Sequence, residues 1–381
     1  MNHTFYKAKR SRVRTAFVLV GAAVIAISAT PRSASAQVTQ QWHAREFQDR
    51  VFGVDDAVDI AYWKDESKNP PKEWVYMTGY QTTSTGATVF ATYKYDPNDP
   101  GPIATSVADI TYPEIAGQAT GTNRAVAIAI DPETGDVYVT GESIDPTGAD
   151  GLDYVTIKYD KDLVPDEDWE AAGHPGAVVR WDNPIFAGPG SHDRPVDIAL
   201  GKRFAEFGAP QNVIGITGRS NGGPATKYDI VTVLMNAVTG NPWSDWGDVG
   251  LGVGARSFNG DADGNDSAAG LDLYWSGGIE GEAGLYTIVA GTTRYLHSGQ
   301  PNDDIVTIQY DPDGNRTGSG WTNVYDGPMI GDDVATAMVV NLKRGGVFVC
   351  GYTPHYVAGA SASSGGGSGT GAASGGGGLR R

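Results

Sequence analysis

The stretch Val137-Tyr-Val-Thr-Gly141, followed after a turn by Asp153-Tyr-Val-Thr-Ile-Lys-Tyr-Asp160, decides the fold. Both runs are rich in β-branched and aromatic residues and are bounded by Gly, Pro, Asp and Asn, the composition of short strands separated by turns. The first run recurs as Trp74–Gly79, Val213–Gly218, Tyr286–Gly291 and Val347–Gly351, with the closing glycines 62, 77, 73 and 60 residues apart. The second recurs as Val89–Asp96, Asp229–Asn236 and Asp304–Asp311. In Asp153–Asp160, Val155 and Ile157 alternate with Tyr154 and Thr156, so both faces of this strand are expected to be covered.

Working outward, an Asx residue opens a further short apolar strand ahead of each glycine strand. The copies are Asp55–Ala61, Asn123–Ala129, Asp193–Ala199, a degraded Asp266–Leu271, and Asp332–Met338. Val178–Trp181 and Trp321–Tyr325 supply a fourth strand. No segment beyond the N-terminus sustains a 3.6-residue apolar period, so the chain is expected to be all-β. Four short strands per repeat at this spacing suit a β-propeller blade better than a solenoid coil, and the repetition argues against an ordinary sandwich. The expectation is a propeller of about five four-stranded blades, near 55–122, 123–192, 193–265, 266–331 and 332–357, with the last incomplete. Trp42–Phe47 resembles the fourth strand Trp321–Tyr325 and is placed to close the ring, which would remove an exposed sheet edge.

Residues 1–36 carry a secretory signal pattern, with a basic start through Arg14, an apolar run Ala16–Ala29 and the small-x-small site Ala34-Ser35-Ala36. The apolar run is too short to span a bilayer, and no later segment is apolar enough to do so. Six of the 28 Lys and Arg fall in this segment, leaving 22 against 45 acidic residues, a net charge of −23. Such a surface disfavours nucleic acid and anionic lipid and favours cations or basic partners. The single Cys350 excludes an intramolecular disulfide framework. Residues 358–381 are almost wholly Gly, Ser and Ala and are expected to be disordered. The incomplete last repeat leaves two expectations open: a five-bladed ring with a short final blade, or the front of a longer propeller ending in an unrelated tail.

With these motifs in place, the chain resembles the bacterial β-propeller repeat family called SBBP. The resemblance rests on the "VYVTG" and "DYVTIKYD" strands, the tryptophan strand and the Asp-Asp opening. It covers roughly residues 42–353, most strongly the second and fourth repeats and weakly the third. It implies an exported or cell-surface bacterial protein without assigned catalysis. It says little of the ligand, since a fold does not fix a function.

Several residues invite a chemical role. The Asx residues Asp55, Asn123, Asp193, Asp266 and Asp332 either cap turns through backbone N–H groups two residues on, or ring one end of the propeller with oxygen ligands. Asp261, Asp263, Asn265 and Asp266 alternate oxygens as a short Ca²⁺ loop does, although Gly264 and Asp272 depart from the EF-hand pattern. The bland alternative is an acidic turn. Asp59 and Asp197 stand near first strands where a glycosidase would gather carboxylates, but Ala127 and Thr336 take their place in sister repeats. Trp63, Trp243, Trp246 and Trp275 are candidates for sugar stacking or for packing between blades. Cys350 takes the place of Thr78, Thr140 and Thr217 and reads as a small strand residue. His43, His174, His192, His297 and His355 have no metal spacing. Gly250–Gly254 reads as linker. No catalytic or organic-cofactor motif is present. The sequence therefore favours an exported, non-enzymatic binding module with a glycan or protein ligand; the alternatives are a secreted enzyme acting on polysaccharide and a structural envelope component.

Overall fold

The computed structural model describes residues 56–98, 108–112, 121–144, 151–185, 192–204, 210–223, 227–244, 246–248, 250–277, 283–297, 300–316, 318–327, 331–341 and 346–353. The signal segment, Trp42–Phe47, Asp55, His43, His355 and the Gly/Ser tail lie outside them. The described chain is all-β, built as consecutive antiparallel sheets whose strands pair in sequence order. The first sheet holds β1 (Asp56–Asp65), β2 (Lys72–Thr82), β3 (Thr88–Tyr95) and β4 (Ala108–Tyr112). The second holds β5 (Asn123–Ile130), β6 (Val137–Ile144), β7 (Leu152–Tyr159) and β8 (Val178–Trp181).

The third sheet holds β9 (Arg194–Arg203), β10 (Gln211–Gly223), β11 (Lys227–Asn236) and, after a small ribbon of β12 (Gly247–Asp248) and β13 (Gly252–Val253), β14 (Ala255–Phe258). The glycine stretch at 250–254 is thus part of a hairpin rather than plain linker, and it buries Leu251. The fourth sheet holds β15 (Ser267–Ser276), β16 (Gly284–His297), β17 (Gln300–Tyr310) and β18 (Trp321–Tyr325). A two-stranded sheet of β19 (Val334–Asn341) and β20 (Gly346–Tyr352) follows. One short helix, α1 (Glu167–Ala171), is capped by the Asp166 carboxylate, which accepts from the Trp169 amide at 3.0 Å. Its single turn is too short to leave a periodic signal in sequence. Among the described residues, no helix is long and apolar enough to cross a membrane.

The core lies between sheets. Trp63, Tyr76 and Phe90 of the first sheet pack on Ile128, Val137, Val139 and Val155 of the second. Tyr138 and Tyr154 of the second pack on Ile198, Ile214, Ile216 and Val233 of the third. Val213, Ile230 and Leu234 of the third meet Leu271, Leu273, Val289 and Val306 of the fourth. Each inner sheet is therefore covered on both faces, which explains why every residue of β7 is buried.

The recurring Thr-Gly pair follows from a recurring bulge. An extra residue shifts the register of each first strand between Ala57 and Asp59, Ala125 and Ala127, Pro195 and Asp197, Ala268 and Gly270, and Ala335 and Ala337. The bulge drives the preceding carbonyl over the facing glycine of the second strand. A Cβ at Gly79, Gly141, Gly218, Gly291 or Gly351 would strike the carbonyl oxygen of Asp56, Arg124, Arg194, Ser267 or Val334 respectively. Only glycine fits there. The threonine before it pairs across the strand, Thr78 with Thr92 at 2.9 Å, Thr140 with Thr156 at 3.0 Å and Thr217 with Thr232 at 2.9 Å. The same register corrects two equivalences drawn from sequence. Asp333, not Asp332, matches Asp193 and Asp266, and Ala337, not Thr336, matches Asp59.

Candidate functional site

Several acidic residues are engaged by buried lysines or by backbone of a neighbouring sheet. Lys94 and Lys158, the lysines of the two closest third-strand copies, are buried. Lys94 meets Asp162 of the following sheet at 2.6 Å and lies over the Trp74 ring at 4.0 Å. Lys158 meets Asp166 at 2.9 Å and Asp136 at 3.3 Å. Asp59 and Asp197 reach across in the same way: Asp59 accepts from the Ile128 amide at 3.0 Å and Asp197 from the Leu271 amide at 2.9 Å. Ile128 and Leu271 occupy equivalent places just after a bulge. These two carboxylates act as staples between first strands, and among the described residues they join no three-acid group.

The Asx residue before each first strand forms the most regular constellation. Its amide donates to a third-strand carbonyl of the preceding sheet: Asp193 to Leu152 and Asp266 to Tyr228, each at 2.6 Å, and Asp333 to Asp303. One carboxylate oxygen accepts from the loop leaving the fourth strand, from the Asn183 amide at 2.9 Å, the Gly260 amide at 2.7 Å and the Gly327 amide. A hydroxyl two residues beyond the motif glycine adds a bond at two of the junctions: Ser220 to Asp193 and Thr353 to Asp333. Asn123 varies the theme, taking the Ser143 hydroxyl at 2.7 Å and donating to the Thr88 carbonyl at 2.9 Å. These residues therefore clamp a loop six to ten residues upstream. They do not cap a turn two residues on, as the simpler sequence expectation had it.

At two junctions the clamp meets two more acids. Asp153, at the start of β7, and Asp182, just after β8, converge on Asp193, with one oxygen of each within 4.8 Å of the others. Asp304 and Asp326 converge on Asp333 in the same way. Asp153, Asp193, Asp304 and Asp333 are buried. At such separations each ionised pair repels by about 3.5 kcal/mol at an effective dielectric of about 20. Burial pushes the Asp193 carboxyl up to about 7, against hydrogen bonds from Ser220 and the Asn183 amide, and Asp182 and Asp153 add to the rise. Burial likewise raises Asp333, with Asp326 and Asp332 adding. Arg180 binds Asp153 at 2.6 Å and the Ser143 carbonyl at 3.1 Å, offsetting part of the first cluster. Val324 takes its place in the second. At the third junction the equivalent positions are Asp229, Asn259 and Asp266, with an amide in place of one carboxylate.

The residues singled out in sequence for a Ca²⁺ loop part company. Asp261, Asp263 and Asn265 face solvent, and Asp263 accepts from the Asn259 side chain at 3.0 Å. Asp266 points inward and accepts from the Gly260 and Arg294 amides at 2.7 and 2.8 Å. Trp63 and Trp246 are buried, Trp243 is half-buried under Arg203, and Trp275 packs edge-on to Phe204. These four rings pack mainly against protein. Cys350 is half-buried, its Sγ 3.7 Å from the Ala337 carbonyl. His174 sits beside Trp169 and Asn241. A shallow groove between the first two sheets is lined by Thr85, Ala87, Thr88, Thr122 and Arg124, without a carboxylate. Sequence reading missed the Asp153–Asp182–Asp193 and Asp304–Asp326–Asp333 groups. The signal was there, an Asp after the aromatic end of the fourth strand in repeats two and four. A scan against protein-family models finds no match for the chain, and a search of curated proteins returns no relative.

Proposed function

We propose that the chain is an exported β-propeller that works as a non-enzymatic binding module, as the SBBP-like repeat implies. One observation supports the ring above others: the two terminal sheets each leave bare the face that inner sheets bury. On the first sheet, Val58, Ile60 and Tyr62 are exposed, while Ile128, Ile198 and Leu271, the counterparts of Ile60, are buried. On the last, Val339, Phe348 and Tyr352 are exposed on the opposite side, where the sister residue Tyr138 packs on the next sheet. Two apolar faces of opposite sense are what a ring brings together.

A binding role is favoured over hydrolysis because Asp59 and Asp197, the carboxylates near first strands, are engaged by backbone amides of the neighbouring sheets, whereas a glycosidase sets two carboxyls about 5 to 9.5 Å apart beside an open cleft. The groove with its hydroxyls and Arg124 suits a polar ligand such as a glycan or a polypeptide segment. A glycan array together with a polysaccharide hydrolysis screen tests this. Saturable binding without turnover supports the module, and release of reducing ends refutes it. N-terminal sequencing of the protein recovered from culture medium tests export, with Gln37 as the expected first residue.

A further inference from the structure

We propose that the two acidic junctions, Asp153–Asp182–Asp193 and Asp304–Asp326–Asp333, are binding sites for a hard divalent cation of the calcium class. The acids alone would not carry this. The second observation is an orphaned oxygen in each: Oδ1 of Asp193 and Oδ1 of Asp333 are fully buried and accept no hydrogen bond, although both residues are wholly enclosed. A buried carboxylate oxygen without a donor is costly, and a cation satisfies it. In each case the other oxygen is pinned, by the Asn183 amide or the Gly327 amide, and one oxygen of the residue lies within 4.8 Å of an oxygen of each of the two acids of the preceding sheet.

The geometry fits an ion. Ligands about 2.4 Å from a Ca²⁺ lie at most about 4.8 Å apart, and the three oxygens at each junction lie within 4.8 Å of one another. The donors are all carboxylate oxygens, which select a hard cation over zinc or copper. The third junction serves as an internal contrast. There Asn259 replaces an aspartate, and the Arg294 amide donates to Asp266 Oδ1 at 2.8 Å, so protein donors take up the oxygen that the other two junctions leave bare. The cluster at Asp333 lacks a counterpart of Arg180 and should bind the more tightly. An ion at either junction joins three segments: the start of a third strand, the end of a fourth, and the opening of the next sheet.

The test uses the full-length chain stripped with EDTA. Calcium is titrated by calorimetry and by thermal melting. The expected result is saturable heat at or below roughly 10⁻³ M, with a melting temperature that rises with occupancy. Asp182→Asn and Asp326→Asn should each weaken one site by at least about tenfold, and the double variant should lose the melting response. Asp261→Asn with Asp263→Asn should leave it intact. Terbium luminescence on the unmutated protein gives a reading independent of variant folding, since Trp181 precedes Asp182 and can sensitise the ion. No heat, no terbium signal and no melting shift with Ca²⁺, Mg²⁺ or Mn²⁺ overturns the proposal. So does a well-folded double variant that binds as the wild type does. A stripped protein that gains stability on acidification yet ignores every ion would assign the junctions to protons, and would overturn it too.

Discussion

Replacing Gly141 by alanine probes the logic of the repeat directly. The added methyl would overlap the Arg124 carbonyl oxygen and lie 2.7 Å from Ala125 Cα and 2.6 Å from Phe90 Cζ of the preceding sheet. Two of these obstacles are backbone of the β5 bulge, which cannot swing away as a side-chain tip can. Overpacking of this kind costs about 1–3 kcal/mol, and rigid backbone puts it at the upper end. Alanine also restricts the unfolded chain, returning about 0.4–1 kcal/mol. The net expectation is a loss of about 2 kcal/mol, or roughly 3 °C in melting temperature for a protein of this size. Urea unfolding followed by far-ultraviolet circular dichroism measures it. Gly277→Ala is the control, with open space around its Cβ and no left-handed backbone. Gly291→Ala should fall between them, since its nearest contact is at 2.5 Å. If Gly141→Ala unfolds within about 0.5 kcal/mol of the wild type, the bulge does not explain the motif.

Other perturbations test separate parts of the construction. Thr140→Val removes the hydroxyl paired with Thr156 at 3.0 Å; a stability loss of about 1–2 kcal/mol is expected, and no loss in a melt would show that the pair is incidental. Ile60→Asp and Phe348→Asp should each cost about 2 kcal/mol or more if the terminal faces are covered in the ring, and unchanged melting of both would argue against closure. The Asp162 carboxyl is held below the usual carboxylate range by the hydrogen bond from Lys94, with Lys161 adding. Its contribution is therefore present above the unfolded value and lost as pH falls through the folded one. Asp162→Asn should be less stable than wild type at neutral pH, and the difference should close below about pH 4. Parallel melting curves down to pH 2.5 would refute it.

Strand order was legible without coordinates because it is written in local chemistry. Trp74–Gly79, Val137–Gly141 and their copies all fall inside second strands, and Val178–Trp181 and Trp321–Tyr325 are fourth strands over those same residues. The missed strands β4 and β14 lie in repeats whose fourth strand lacks a tryptophan. The role of Asp59 and Asp197 was not legible, since each binds an amide some seventy residues away. Nor was the one-residue error at Asp332, because the adjacent Asp333 offers the same side chain and only the bulge register separates them.

What the amino-acid sequence determines by itself is the repeating strand grammar: where most of the strands lie, that a glycine recurs in each second strand, and that the strands come in a repeating succession. These depend on backbone sterics and on alternating apolar residues within a few positions. What only the tertiary structure decided is which acids meet. Asp153, Asp182 and Asp193 span forty residues, and Asp304, Asp326 and Asp333 span thirty. Their convergence requires the third strand, the fourth strand and the next sheet to be folded against one another. The loop Asp261–Asp266 carried the stronger metal pattern in sequence, yet three of its four oxygen-bearing side chains face water. Proximity along the chain set that pattern, whereas a buried charge cluster forms only where packing excludes solvent from groups that are distant in sequence.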